Sequence, residues 1–115
     1  MIRWLNTHAS AAIIAELNDE FRATGQGGRI VLTSGVVSLG YDFLIKAMQE
    51  VRSFSDFSAQ DDPYGEHNFG SVAVAGKTVN WMIDYYDAAD EWASPDPANP
   101  DVTTRVLTIY GANGD

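Results

Sequence analysis

Cysteine is absent from this 115-residue chain. Its absence excludes disulfide bonds, thiol nucleophiles and zinc sites built on sulfur ligands. Basic residues are also scarce, because seven Lys and Arg stand against sixteen Asp and Glu, for a formal net charge of −9. Since this charge repels phosphate groups, we do not expect direct binding to DNA or RNA.

Long apolar runs are missing as well, and none approaches the roughly 20 residues of a membrane-spanning helix. The first residues, MIRWLNTHASAAIIAEL, contain several polar side chains and lack the continuous apolar stretch and cleavage site of a signal peptide. With 45% hydrophobic residues, the chain can bury one core but is too short for two. We therefore expect one soluble domain, residues 1–115, located in the cytoplasm.

The acidic residues are concentrated in one part of the chain. Between Asp56 and Asp101 there are ten acidic residues and a single base, Lys77, whereas acids and bases cancel elsewhere. This stretch, called here the acidic segment, accounts for the whole net charge. If charge selects the partners of the protein, those partners are basic; alternatively, the acidic loops only solvate the fold.

Hydrophobic periodicity predicts two helices and one strand in the first half. Ser10 suits the N-cap of a helix over 9–23, and Gly25 suits its left-handed C-cap. RIVLT predicts a strand over 29–33, and a second helix follows over 41–52. The residues expected on the buried sides of the helices are Ile13, Ile14, Leu17, Phe21, Phe43, Leu44, Ala47, Met48 and Val51.

Strand periodicity replaces helical periodicity after Asn68. Segments 69–75 and 78–85 predict a hairpin with Gly76-Lys77 in a type II′ turn, and the final strand is expected over 103–110. The three prolines of SPDPANPD place a loop over 94–101. The order α-β-α-β-β-β predicts an α+β domain with two helices on one face of a mostly antiparallel sheet. Val79, Trp81, Ile83 and Tyr85 should face the core.

The stretch DDPYGEHNFG, residues 61–70, raises the question of catalysis. Glu66, His67 and Asp84 together offer an imidazole and two carboxylates, which can act as general acid and base or bind a metal. If Glu66 and His67 are extended neighbours, however, their side chains point to opposite faces. The stretch also reads as a turn, bent by Pro63 and Gly65 and capped by Asp62. We favour the turn and predict no catalytic residue, metal site or cofactor. A small enzyme or metal-binding protein centred on Glu66, His67 and Asp84 remains the alternative.

Aromatic side chains near the acids indicate a second kind of site. Tyr and Trp are enriched among binding hot spots, and neighbouring carboxylates can pair with Arg or Lys of a partner. The sequence therefore predicts a partner-binding patch made of Asp84, Tyr86, Asp87, Asp90, Glu91, Trp92 and Asp96.

Four blocks carry a family resemblance: NDEFRATGQGGRIVLTSGV, VRSFSDFSAQDDPYGEHNFG, WMIDYYD and SPDPANPDVTTRVLTI. In this order, from Leu17 to Ile109, they resemble domain-of-unknown-function family 3768, small bacterial proteins often carried on plasmids, phages and other mobile elements. The family hallmark D-P-Y-G-E-H-D-F-G is matched at 62–70, with Asn68 in place of Asp. Because an amide replaces a carboxylate there, Asn68 is a poor candidate for a metal ligand or a base.

The resemblance implies no established reaction, but it bears on the class of function. Small acidic proteins from mobile elements are frequently inhibitors of host defence, including anti-restriction and anti-CRISPR proteins, some of which mimic DNA. Nucleases and CRISPR effectors hold nucleic acid in basic grooves that carboxylates can occupy. We therefore expect a non-enzymatic inhibitor that binds the basic surface of a nucleic-acid-binding protein.

Overall fold

The structure, a computed structural model, describes residues 3–115 and the side chains of residues 10–115. Its elements confirm the predicted α+β class and add one short helix, α2, that the sequence pattern missed. A 3-10 turn at Pro100–Val102 precedes the last strand. The helices and strands, in chain order, are α1 (Arg3–Thr24), β1 (Gly28–Leu32), α2 (Ser34–Val37), α3 (Tyr41–Arg52), β2 (Phe69–Val74), β3 (Lys77–Tyr86) and β4 (Thr104–Gly111).

The four strands form a mixed sheet in the order β1-β4-β3-β2. β2, β3 and β4 pair antiparallel, whereas β1 pairs parallel with β4. A parallel pair requires a long crossover connection, and here α2, α3 and the β2–β3 hairpin lie between its strands in the sequence. The mostly antiparallel sheet predicted from the sequence is therefore confirmed.

The turn of the β2–β3 hairpin differs from the prediction. Val74 pairs with Lys77, so the turn consists of Ala75 and Gly76, and Lys77 belongs to β3. Both turn residues have positive φ, 49° for Ala75 and 79° for Gly76. This is the pattern of a type I′ turn, whose twist matches that of the flanking strands. The predicted type II′ turn at Gly76-Lys77 was wrong by one residue.

The left-handed conformation of Ala75 provides a test of this turn. Asn tolerates positive φ better than Ala, and Asn-Gly is a preferred type I′ pair. We expect Ala75→Asn to stabilise the protein by about 0.5–1 kcal/mol and raise the melting temperature by a few degrees in thermal unfolding. The exposed strand residue Ala73 is the matched control, because Ala73→Asn should lower it. An unchanged or lower melting temperature for Ala75→Asn would contradict the turn assignment.

The helices cover one face of the sheet, called here the core face. Trp81, at the centre of β3, is fully buried among residues of α1, α2, α3 and β4. The predicted inward set of β3 is confirmed, since Val79, Trp81 and Ile83 are buried and Tyr85 packs against them. Alternation along the strands places the other side chains on the opposite, open face. The open face comprises Arg29, Val31, Phe69, Ser71, Ala73, Thr78, Asn80, Met82, Asp84, Tyr86, Thr104, Val106, Thr108 and Tyr110.

Helix α1 departs from its predicted pattern. It begins at Arg3, so Ser10 lies inside it and is no N-cap, because neither Gly nor Pro interrupts the sequence from Arg3 to Thr24. Ile13 is 47% exposed, whereas Asn18 and Arg22 are buried. The buried side of α1 thus includes two polar residues, Asn18 and Arg22. Gly25, with φ of 78°, ends α1 as predicted.

Candidate functional site

A network of buried polar side chains joins α1 to the sheet around the DDPYGEHNFG stretch. Asn18, fully buried, donates from Nδ2 to the Glu66 carbonyl and to the Tyr85 hydroxyl, both at 2.9 Å. Its Oδ1 accepts from Arg105 Nε at 2.7 Å. The Tyr85 hydroxyl in turn donates to Glu66 Oε1 at 2.8 Å. Every polar atom of the Asn18 amide is therefore paired, as burial requires.

Asp62 shapes the backbone of the same stretch. Its carboxylate accepts the backbone N–H groups of Glu66 at 3.0 Å and His67 at 3.2 Å. Gly65 and His67 both adopt positive φ, 69° and 56°, so the chain between them is not extended. The premise that Glu66 and His67 are extended neighbours is therefore wrong, whereas the turn capped by Asp62 is observed.

His67 packs back onto α1. Its Nδ1 lies 2.9 Å from Asp19 Oδ2, and its ring stacks on Phe57 at a centroid distance of 3.9 Å. The Arg22 guanidinium lies over the ring of Trp81 at 4.7 Å and also contacts Asp19. Its Nε donates to the carbonyl of Val51 at 2.9 Å. Burial lowers the pKa of Arg22, an effect that the charge of Asp19 opposes.

Gly70 ends this stretch where the Trp81 ring lies against the backbone. A Cβ at position 70 would come within 2.6 Å of Trp81 Nε1. The Trp81 ring is fully buried in the core, and because protein cores are close-packed, moving it aside would disturb its neighbours. The final glycine of the hallmark is therefore explained by packing.

Substitution of Gly70 tests this explanation. We expect Gly70→Ala to destabilise the fold by about 1–3 kcal/mol because it overpacks the core, measured by urea unfolding with Trp fluorescence. Gly111→Ala is the control, because its nearest neighbour would lie 3.7 Å from the new Cβ. Equal stability of the two variants would show that Trp81 does not require the glycine.

The Tyr85 hydroxyl is the titratable group most affected by the network. Burial raises its pKa above the ordinary value, and the hydrogen bond and charge of Glu66 raise it further, while Asn18 and Arg105 act in the opposite direction. Tyr85 is therefore a neutral hydrogen-bond donor in the folded protein. It holds its proton at pH values where an unfolded chain has lost it.

The Tyr85→Phe variant should reveal this shift. At neutral pH it should lose about 1–3 kcal/mol of stability, because Asn18 and Glu66 each lose a partner. Above about pH 10, the unfolded wild-type chain releases the Tyr85 proton while the folded chain retains it, so the contribution of this proton to stability declines as pH rises. The stability difference between wild type and Tyr85→Phe should therefore shrink between neutral pH and about pH 11 in urea titrations. A constant difference would refute the raised pKa.

Glu66, His67 and Asp84, the alternative catalytic set, do not converge. The carboxylate of Glu66 binds Tyr85 on the core face, and the His67 imidazole binds Asp19 of α1. Asp84 precedes Tyr85 on β3 and lies on the open face. Among the residues with described positions, no group of three His, Asp or Glu side chains is arranged to hold a metal ion.

The predicted partner-binding residues lie around the end of β3. Asp84 and Tyr86 are on the open face. A turn over residues 87–92, called here the acidic turn, follows, in which Asp87 N–H donates to the Trp92 carbonyl at 2.7 Å. The Asp87 carboxylate accepts the N–H of Glu91 at 3.0 Å. An isolated bridge between Tyr86 and Ala93 closes the turn. Asp96 lies further along, in a loop whose carbonyls bind Thr103 and Arg105.

One of these acids is neutralised by a base from outside the acidic segment. Arg29 of β1 donates from Nε to Asp90 Oδ2 at 2.7 Å, and this pairing raises the Arg29 pKa. Asp84, Asp87, Glu91 and Asp96 form no ion pair with any described side chain. Trp92 is 74% exposed beside them, whereas Tyr86 is half-buried. The end of β3 and the segment after it therefore carry four carboxylates without a described ion-pair partner, with the exposed indole of Trp92 in the same segment.

Sequence reasoning missed the network because Asn18, Arg22 and Arg105 are polar. A signal was nonetheless present, since Ile14, Asn18, Phe21 and Arg22 follow helical spacing and share one side of α1. Tyr64 of the same stretch is 80% exposed.

The fold and these two regions define a small two-layer α+β protein with an acidic surface turn. The chain belongs to the family described as Protein of unknown function (DUF3768), which matches residues 32–114. The match includes the Asp62–Gly70 hallmark and the acidic turn but begins after α1. No curated protein and no solved structure matches the chain. In the described part of the chain, no helix has the length and apolar character needed to cross a bilayer.

Proposed function

We propose that this protein is a non-enzymatic binding module that recognises a basic surface of another protein in the cytoplasm. The contact residues are Asp84, Tyr86, Asp87, Asp90, Glu91, Trp92 and Asp96. The observation that carries the proposal is the set of carboxylates at the end of β3 and in the segment that follows it, because they have no described basic partner except at Asp90. Unpaired like charges close together repel one another and destabilise the isolated fold, whereas a basic partner would relieve that repulsion.

The order of the turn supports a binding role. The N–H groups of Asp87, Glu91 and Ser94 all donate within the segment 85–94, so its backbone is hydrogen-bonded to itself in the isolated chain. A pre-ordered turn loses less conformational entropy on binding than a flexible loop. The exposed Trp92 side chain adds apolar area next to the charges, as in binding hot spots.

The partner class follows from the charge. A protein that binds nucleic acid carries Lys and Arg in its groove. Carboxylates can form ion pairs with those side chains in place of phosphates. Inhibition of a restriction nuclease or CRISPR effector is the form of this function that the family resemblance favours. β3 contributes one carboxylate, Asp84, to the open face, so the turn supplies most of the charge. The enzyme remains the alternative, but Asp84 lies apart from Glu66 and His67.

Charge neutralisation tests the proposal. The triple variant Asp87→Asn, Glu91→Gln and Asp96→Asn removes three charges and retains oxygen acceptors for the turn hydrogen bonds. Immobilised wild-type protein should retain a basic protein from bacterial extract, and the dissociation constant of that purified protein should rise steeply with salt. We expect the triple variant to weaken binding by about tenfold, since each rim charge contributes up to about 1 kcal/mol.

The matched control removes the same number of charges elsewhere. Glu16, Glu20 and Glu50 are exposed on α1 and α3, so Glu16→Gln, Glu20→Gln and Glu50→Gln give the same net charge. This control should bind as wild type does. Equal weakening by both variants would show that only net charge matters, and binding indifferent to salt and to both variants would refute the proposal.

A further inference from the structure

The proposed function leaves most of the open face of the sheet unexplained. The helices join the sheet through Val36, Phe43, Ala47 and other residues that pack around Trp81 on the core face. The open-face aromatics and aliphatics lie outside that cluster. In the part of the chain that the structure describes, no helix packs on this face.

The centre of the open face is apolar. Phe69, Met82, Thr108 and Val31 stand side by side in one row across β2, β3, β4 and β1. Met82, in the middle, is 36% exposed. Tyr110 lies in the adjacent row, paired with Asn80. Three of these four side chains are apolar, and a partly exposed apolar group of this kind on a sheet is typical of an interaction surface.

One end of the open face is acidic. In the row next to Met82, Asp84 lies beside Val106, and Arg29 lies on the other side of Val106. Asp90 of the acidic turn already pairs with Arg29, so Asp84 is the carboxylate left without a described basic partner. The row beside the apolar one thus connects to Asp90 through Arg29 and leaves Asp84 unpaired among the described side chains.

We propose that the open face docks an amphipathic helix of the partner, with apolar side chains over the Phe69–Met82–Val31 row and Lys or Arg next to Asp84. This inference rests on the proposed function and extends its contact surface from the turn onto the sheet. A sheet face is ordinarily covered by another layer, and a helix about 10 Å wide spans roughly two strands. The partner helix supplies the layer that the fold lacks on this side.

Charge complementarity selects a basic partner over a second copy of this chain. Pairing two open faces would bring two acidic segments together, each with ten acids and one base. Like charges at an interface cost several kcal/mol. A helix with Lys and Arg beside its apolar side meets attraction instead of repulsion.

The test uses a defined probe, a fluorescent Leu/Lys peptide of about 18 residues with helical periodicity, long enough to cross the sheet. Anisotropy titration gives its dissociation constant, and amide NMR shifts locate the contact. We expect shifts at Phe69, Met82 and Thr108, and at least tenfold weaker binding to Met82→Lys. A peptide of the same composition in shuffled order should bind about tenfold more weakly, because it cannot present one apolar side.

The control variant is Ile45→Lys, which adds the same charge on α3, where Ile45 is 40% exposed. It should bind the peptide as wild type does, and circular dichroism confirms folding of every variant. If Met82→Lys binds the peptide as wild type does and the Asp87/Glu91/Asp96 triple variant loses binding, the open-face inference is wrong. The proposed function then still stands. Loss in Met82→Lys with no effect of the triple variant supports the open face and overturns the acidic function.

Two other outcomes overturn the inference. Equal binding of the ordered and shuffled peptides would show that charge alone holds the probe. Concentration-dependent dimerisation of wild type, abolished by Met82→Lys in analytical ultracentrifugation, would show that a second copy occupies the face.

Discussion

The burial of Asn18 between α1 and the sheet constrains the rest of this protein. A buried amide is tolerated only when its donors and acceptor are paired, and the pairs come from Glu66, Tyr85 and Arg105. These residues belong to α1, the hallmark turn, β3 and β4, so one side chain holds four parts of the chain in register. The hallmark turn therefore serves the fold, because its conformation places Glu66 against this amide.

The same constraint separates structure from function in the acidic segment. Acids near the network are used internally: Asp62 caps the turn, and Glu66 accepts from Tyr85. Asp87 and Asp96, beyond Tyr86, also accept backbone N–H groups of their own turns, but only Asp90 has a described basic partner. Unpaired charge on an ordered turn raises the free energy of the isolated protein. The charge on this turn therefore has no evident role in stability, which is the reason for proposing a role in binding.

The two faces of the sheet differ because the buried network lies on only one of them. Helices α1 and α3 pack on the core face, where they bury Trp81 and the polar network. The open face keeps an apolar row that no described helix covers, ending at Asp84. Because side chains alternate along β3, Trp81 and Tyr85 point to the interior, whereas Met82 and Asp84 lie on the open face. The proposed partner would bind on that face.

The sequence by itself determined the α+β class, the strand alternation of β3, the C-cap at Gly25 and the concentration of acids, because each depends on residues close together in the chain. It also predicted the candidate contact residues as a local cluster. Only the tertiary structure decided that Asn18 and Arg105 are buried and that Asp84 lies apart from Glu66. The hydrogen-bond partners of Asn18 lie 48 to 87 positions away, and no local pattern specifies such pairings. From the sequence alone, polar residues such as Asn18 and Arg105 are expected to be exposed. Their burial can be predicted only once their hydrogen-bond partners are known.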